Sequence, residues 1–224
     1  MRFFSSLEAC DLYGRSCFVS RLSYLCTASF NKGQTVRISM KKLKITEMKR
    51  LDTDTFRKSE KLPLAVVLDD VRSMNNIGSV LRTADAFRLS EVCLCGITAT
   101  PPHPDIHKTA LGAEDSVTWH YFETAMEAVH YLQNKGYRLF ALEQAHGSIP
   151  LNRFEPEHGE AYALVLGNEV KGVSQTVVDA CAGCLEIPQY GTKHSLNVSV
   201  AAGIAIWQVA APLLERLVKL EEQR

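Results

Sequence analysis

From residue 63 onward, short apolar runs alternate along the chain with segments whose apolar residues repeat at helical spacing. The run Leu64–Leu68 has the length of a strand, and the segment Asn76–Phe87 places its apolar side chains on one stripe. Further strands are predicted at Val92–Cys95, Ser116–Phe122, Tyr137–Leu142, Tyr162–Leu166 and Leu185–Ile187, and further helices at Glu123–Asn134, Gln175–Ala182 and Asn197–Leu220. Strands that alternate with helices predict an α/β fold, in which a mostly parallel sheet is covered by helices on both faces.

The length and the charge of the chain narrow the class of protein. Its 224 residues can bury a core without disulfides or a structural metal, and they correspond to one domain with extensions. No run of about 18 apolar residues occurs, so a membrane is not an expected partner. The net charge of +0 excludes a histone-like protein that binds DNA through bulk charge, although it allows a local basic patch.

The sequence divides into three parts of different character. Residues 1–39 are rich in Ser and Cys and show no sustained period, so they are predicted to be a weakly ordered extension. Because Met40 opens the sequence Met-Lys-Lys-Leu-Lys, an alternative is that the natural start is Met40. Residues 40–62 are then a basic helical extension, and residues 63–224 are the main domain.

The basic extension is a candidate nucleic-acid contact. Residues 40–61 carry eight Lys and Arg against four Asp and Glu, and the proposed RNA-contacting side chains are Lys49, Arg50, Arg57 and Lys58. Clusters of this kind bind phosphate groups. A helix whose charged face is only solvated remains an equally open interpretation.

The cysteines and histidines give no sign of a metal site. The number of cysteines is odd, and the N-terminus has no continuous apolar core of the signal-peptide type, so free thiols in a reducing cytoplasm are predicted. Cys181 and Cys184 have CxxC spacing, but no second pair completes a zinc site, which favours a buried structural pair. His103 and His107 are four residues apart, but the surrounding prolines argue against a helix there, and no metal is expected.

Polar segments follow three of the predicted elements, and α/β sheets bind ligands at the carboxyl ends of their strands. The chain contains no GxGxxG, GxxxxGK[ST] or GxSxG pattern. The three segments are Asn75–Ala84, Leu166–Ser174 and Ile187–Ala202. The first two also fit ordinary turns, with Asn76 and Ser174 as helix caps. The third places small polar residues at a buried helix start, with Ser195 as its cap, which is costly for stability alone and favours a function.

Taken together, the three segments resemble the motif set of the SpoU/TrmH family, within the SPOUT superfamily of RNA methyltransferases. The resemblance extends from about Leu64 to Gln208, with the motifs in the family's order and spacing. It implies a C-terminal deep trefoil knot, which is rare among folds, and a homodimer. It also implies transfer of a methyl group from S-adenosylmethionine to a ribose 2′-hydroxyl of tRNA or rRNA.

The resemblance assigns roles to individual residues of this chain. It implies that the catalytic set is Asn76, Arg82, Glu169, Ser195 and Asn197, and that the cofactor is held mainly through backbone groups near Leu142, Gly167, Ile187 and Leu196. Gln189 departs from the methionine that the family often has after Ile-Pro. The glycines of these loops suggest close approach of the backbone to the cofactor.

Three questions stay open at this level. Family proposals make Arg82 the general base, but a guanidinium group keeps its proton in proteins, so anchoring of a phosphate is an alternative. A catalytically inactive knotted RNA-binding protein is the alternative function. The segment before Leu64 is too short for the extra RNA-binding domain of many rRNA-directed relatives, which slightly favours tRNA.

Overall fold

In the part of the chain that the computed structural model describes, seven strands form one sheet in which every pairing between strands is parallel. The strands are β1 (Leu62–Asp69), β2 (Leu89–Cys95), β3 (Trp119–Phe122), β4 (Tyr137–Leu142), β5 (Ile149–Pro150), β6 (Ala161–Leu166) and β7 (Gly183–Glu186). Their order across the sheet is β3-β2-β1-β6-β4-β7-β5. The structure describes residues 41–48 and 50–222, except for the side chains of residues 45 and 215–222. The predicted parallel sheet is confirmed.

Helices cover both faces of this sheet, as predicted. They are α1 (Thr53–Lys58), α2 (Met74–Ala86), α3 (Pro104–Ala110), α4 (Ala113–Ser116), α5 (Ala125–Asn134), α6 (Gln175–Ala180) and α7 (Val198–Glu222). Successive side chains of a strand point to opposite faces. Leu64 and Val66 of β1 therefore pack in one core with α2 and α7, whereas Ala65 and Val67 pack in a second core with α5 and α6.

Two local predictions around α3 and α4 were wrong. The strand predicted over Ser116–Phe122 starts only at Trp119, because Ser116 is the last residue of α4. His107 lies within α3, where the prolines had argued against a helix. Pro104 occupies the first turn, where its missing N–H is not needed. The Nδ1 atom of His103 caps the helix by accepting a hydrogen bond from the Asp105 N–H at 3.1 Å.

The chain divides after Met48. Before this point, residues 45–47 form a 3-10 turn, in which the Lys44 N–H donates to Glu47 Oε2 at 2.6 Å. After it, α1 is capped by Asp52 and buries Phe56. The predicted extension over residues 1–39 lies outside the described residues, and the division into three parts stays a prediction. Within the described part of the chain, no helix is long and apolar enough to cross a membrane.

Candidate functional site

A cavity of about 320 Å³ lies at the carboxyl ends of β4, β6 and β7. Its lining includes Leu142 at the end of β4, Gly167 directly after β6, Ile187 directly after β7, and Leu196 just before α7. These are the four residues that the resemblance assigns to the cofactor. The parallel topology brings them together, because the carboxyl ends of parallel strands meet at one edge of the sheet.

The Glu169 carboxylate also lines the cavity and is held by several donors. Its Oε1 atom accepts a hydrogen bond from Asn76 Nδ2 at 3.2 Å and one from the Ser73 N–H at 3.4 Å, and Oε2 accepts from the Arg72 N–H at 3.3 Å. Partial burial raises the pKa of Glu169, but these bonds and one from its own N–H outweigh burial and lower the pKa below its ordinary value. The side chain is therefore ionised near neutral pH.

Asn197 continues this network from the start of α7. Its Nδ2 atom donates to Asn76 Oδ1 at 3.1 Å, so Asn76 receives one bond and donates the other to Glu169. Asn197 Oδ1 accepts from the Ser199 N–H at 3.0 Å and thereby caps α7. The chain Glu169–Asn76–Asn197 joins one residue from each of the three sequence motifs.

Two capping assignments made from the sequence were wrong. Asn197 caps α7, not Ser195. Ser73 is the N-cap of α2, and its hydroxyl accepts from the Asn76 N–H at 3.4 Å, so the Asn76 side chain is free to join the network. Ser174 does occupy the N-cap position of α6, but its side chain makes no capping hydrogen bond.

The other two predicted catalytic residues lie outside this network. Ser195 is exposed and lines the cavity. Arg82 is exposed on α2 and does not belong to the cavity lining. Among the described residues, neither side chain has a hydrogen-bond or ion-pair partner. Both side chains are therefore available to a ligand.

Gly167 is required for a reason other than the one expected from the sequence. A Cβ atom there would collide with the backbone of Gly172 and Val173, because the loop after β6 folds back on itself. Gly172 supports this turn with a φ of +67°. A Cβ atom on Gly191 would meet nothing within 4 Å, so this glycine is not enforced by close packing.

Sequence reasoning missed three polar residues that shape the cavity. Asn168 is buried, and its Nδ2 donates to the Asp70 carbonyl at 2.8 Å while Oδ1 accepts from the Val170 N–H at 2.9 Å. Glu143 and Gln144 line the cavity beyond β4. Their signal in the sequence is only that two polar residues directly follow an apolar strand.

The predicted RNA-contacting residues have different surroundings. Lys58 and Arg50 are exposed. The Arg57 guanidinium donates to the Asp115 carbonyl from Nε at 2.9 Å and also from Nη2, which fastens α1 to the end of α4. Lys49 lies outside the described residues. The RNA-contact role of this segment stays a prediction.

In the described part of the chain, no group of three or more His, Cys, Asp and Glu side chains that could hold a metal ion is found. Cys184 is buried, Cys181 is partly buried, and both are free thiols. Burial and the neighbouring Cys184 raise the pKa of Cys181 to about 11. His107 Nδ1 lies 2.5 Å from Glu114 Oε1 and is paired with it.

The chain is similar to known proteins both in sequence and in structure. RlmB, the 23S rRNA (guanosine-2'-O-)-methyltransferase of Pasteurella multocida, is 29% identical over 163 residues, which are 73% of this chain and 66% of the relative. An uncharacterized tRNA/rRNA methyltransferase of Borreliella burgdorferi is 26% identical over 82% of this chain and 80% of its own length. The AdoMet-bound rRNA methyltransferase from Sinorhizobium meliloti superposes with a TM-score of 0.64 and 25% identity, over 70% of this chain and 60% of that protein.

The region of similarity thus covers 66% of the length of the Pasteurella protein and 60% of the length of the Sinorhizobium protein. The sequence model of the SpoU rRNA Methylase family matches residues 63–207 of this chain. This range includes the residues that line the cavity and the whole Glu169–Asn76–Asn197 network. The resemblance inferred from the three motifs is confirmed, and the chain belongs to the SpoU rRNA methylase family.

Proposed function

We propose that this chain is an S-adenosylmethionine-dependent methyltransferase that modifies a ribose 2′-hydroxyl of tRNA or rRNA. The observation that carries the proposal is the hydrogen-bonded chain Glu169–Asn76–Asn197, which places one polar residue from each motif beside a single cavity. The relatives named above, which include rRNA and tRNA/rRNA methyltransferases, support the same reaction class. The choice between tRNA and rRNA stays open.

The cavity suits S-adenosylmethionine in size and in chemistry. Its volume of about 320 Å³ is within the range of small-molecule sites. Aliphatic side chains such as Leu142, Ile187 and Leu196 can pack against a nucleoside, and the Glu169 carboxylate complements a positively charged ligand. The cofactor supplies an electrophilic methyl group, and the protein supplies binding and orientation.

Each residue of the site then has a definite task. Glu169 fixes the Asn76 amide, and Asn197 fixes it from the other side, so Asn76 can orient the ribose without reorganising. The Ser195 hydroxyl, at the cavity, hydrogen-bonds to the bound ribose. Arg82 anchors a phosphate next to the target nucleotide and stabilises the negative charge that develops on the ribose oxygen as its proton leaves.

Anchoring by Arg82 can be separated from action as a base. Lysine keeps the positive charge but loses the planar fork, so Arg82→Lys should retain low activity. An anchor predicts pH–rate profiles with the same limbs and a lower plateau, whereas a base predicts a displaced limb. Single-turnover rates at saturating cofactor and RNA isolate this step.

The fine topology and the assembly are further parts of the proposal. The loop after β6 and the segment after β7 both contact the residues that follow β4. The chain then continues into α7, which packs against α2 and β1 on the face of the sheet that carries Leu64 and Val66. This crossing supports a deep trefoil knot. Val200, Ile204 and Trp207 are exposed on one stripe of α7, directly after the site, which supports a homodimer.

The function is tested by binding and by product analysis. The native chain should bind S-adenosylmethionine in calorimetry and transfer a labelled methyl group to rRNA or tRNA, and nucleoside mass spectrometry should find the label on a ribose. Neutralising Lys49, Arg50, Arg57 and Lys58 together should weaken RNA binding and flatten its salt dependence without changing cofactor affinity. RNA binding without cofactor binding or methyl transfer would instead establish the inactive RNA-binding protein. The cytoplasmic location stays a prediction.

A further inference from the structure

The two consecutive residues directly after β4 each hydrogen-bond to one of the two loops that line the cavity. Glu143 Oε2 accepts a hydrogen bond from the Val173 N–H at 3.0 Å, which holds the loop after β6. Gln144 Nε2 donates to the His194 carbonyl at 2.7 Å, which holds the segment between β7 and α7. Both side chains line the cavity, so they are in place to control its width.

The backbone under these side chains is fixed. The Glu143 N–H donates to the Leu185 carbonyl at 3.1 Å and so extends the pairing of β4 with β7 by one residue. Glu143 Oε1 accepts from the Gln144 N–H at 3.0 Å, which fixes the carboxylate. Glu143 is therefore held by the backbone pairing next to the strand end, and Gln144 follows it directly.

The contact of Glu143 with the loop after β6 is close and costly to lose. A Cβ atom on Gly172 would collide with Glu143 Oε2, so the loop passes directly over the carboxylate. Val173 is buried, and a buried N–H that loses its acceptor destabilises the conformation that buries it. Loss of the Glu143 carboxylate should therefore favour opening of the loop after β6.

We propose that Glu143 and Gln144 are positioning residues that set the separation of the two cavity walls and thereby the affinity for S-adenosylmethionine. This inference rests on the proposed function. Backbone groups of the two loops can bind a cofactor only if they are held in a productive arrangement before it arrives. Neither tether hydrogen-bonds to the Glu169–Asn76–Asn197 network, so we expect the two side chains to act mainly on cofactor binding.

The test compares cofactor affinity with turnover. We expect Glu143→Ala and Gln144→Ala each to raise the calorimetric Kd for S-adenosylmethionine about tenfold or more, with kcat at saturating cofactor within about threefold of native. Glu143→Gln should recover part of the affinity, because its amide oxygen can still accept from the Val173 N–H while its NH2 group then faces the Gln144 N–H. Hydrogen exchange at Val173 should quicken in Glu143→Ala but not in Gln144→Ala. Gln144 is exposed, so its variant carries the test if Glu143→Ala does not fold.

The chain offers a matched control for each variant. Gln133 Nε2 donates to the Ala180 carbonyl at 2.9 Å, a bond of the same type as that of Gln144, between α5 and α6. Glu127 accepts from the Glu123 N–H at 3.1 Å, as Glu143 does from Val173. Gln133→Ala and Glu127→Ala should leave the Kd unchanged even where the melting temperature falls.

The possible failures are distinguishable. A native chain that binds no S-adenosylmethionine overturns the proposed function and this inference with it. Native binding together with a Kd within about twofold of native in both Glu143→Ala and Gln144→Ala overturns this inference alone. An equal loss of affinity in the control variants also overturns it, because general destabilisation would then explain the effect.

Discussion

Glu91 on β2 and Glu169 after β6 are both held by several hydrogen bonds, but their surroundings differ. Glu91 is 2% exposed and contacts Lys135 Nζ at 2.5 Å, the Tyr131 hydroxyl at 2.9 Å and His120 Nε2 at 3.4 Å. Glu169 is exposed and is held by amide groups. Within the described residues, it has no ion-pair partner.

This difference separates a structural carboxylate from one that can serve a ligand. The charge of Glu91 is neutralised by Lys135 inside the fold, which satisfies the buried group but leaves nothing for a substrate. The amide groups around Glu169 fix its position without cancelling its charge. Arg82, which follows Asn76 on α2, is exposed. The number of hydrogen bonds is therefore a poor guide to function here, whereas burial and the charge of the partners separate the two carboxylates.

Removal of the positively charged side chain from each region, Arg82 or Lys135, should give the largest difference between the effects on activity and on stability. Arg82→Ala should lower single-turnover methyl transfer about a hundred- to a thousandfold, because a charge-stabilising group is lost. Being exposed, it should change the free energy of unfolding by no more than about 0.5 kcal/mol. Lys135→Ala should lower the free energy of unfolding by about 1–3 kcal/mol, since Glu91 stays buried without its partner, and should leave kcat unchanged.

Chemical denaturation and single-turnover kinetics on the same preparations measure both quantities. Cofactor binding by Arg82→Ala serves as the control for folding. Near-native turnover in Arg82→Ala would remove this residue from the site, and a large loss of turnover in Lys135→Ala would show that the Glu91 region also takes part in activity.

The sequence predicted the approximate positions of six of the seven strands, because apolar runs are local signals, but it missed β5, which has only two residues. It did not predict which side chain caps a helix, and Asn197 took the place expected for Ser195. It also could not find the tethers of Glu143 and Gln144, whose partners lie 30 and 50 residues further along the chain. Such pairs are created by the order of strands in the sheet, which no local pattern encodes.

Replacing each carboxylate by an amide should give smaller effects, on activity in one region and on stability in the other. Glu169→Gln should reduce kcat about tenfold, because the new amide group opposes donors that now point at a carboxylate. Its stability should stay within about 0.5 kcal/mol of native. Glu91→Gln should show the reverse, with an unfolding free energy lower by about 1–3 kcal/mol and an unchanged kcat. If both variants lost the same property, the two regions would not differ in kind.

The pH dependence of stability should follow from the lowered pKa of Glu169. Since this pKa is lower in the folded chain than in the unfolded chain, the carboxylate stabilises the fold above the ordinary glutamate value of about 4.3 and loses this contribution as the pH falls through the folded value. The stability difference between native protein and Glu169→Gln should therefore be constant from about pH 6 to 8 and change only in acid. A change near pH 7 in urea unfolding would contradict a lowered pKa.

The smallest expected effect concerns Cys93, the thiol nearest in sequence to Glu91. Burial, assisted by the negative charge of Glu91, raises the pKa of Cys93 to about 12. Because burial is the larger cause, Glu91→Gln should increase the alkylation rate of Cys93 at pH 8, corrected for the larger unfolded fraction of this variant, by less than about tenfold, the change that one pKa unit would produce. Mass spectrometry after brief iodoacetamide treatment measures the rate at this residue, with the native chain in denaturant as the fully reactive reference. A rate that reached the denatured reference would mean that the loss of the Glu91 charge opens this edge of the sheet, and the polar network around Glu91 would then be holding the strands together and not only satisfying a buried carboxylate.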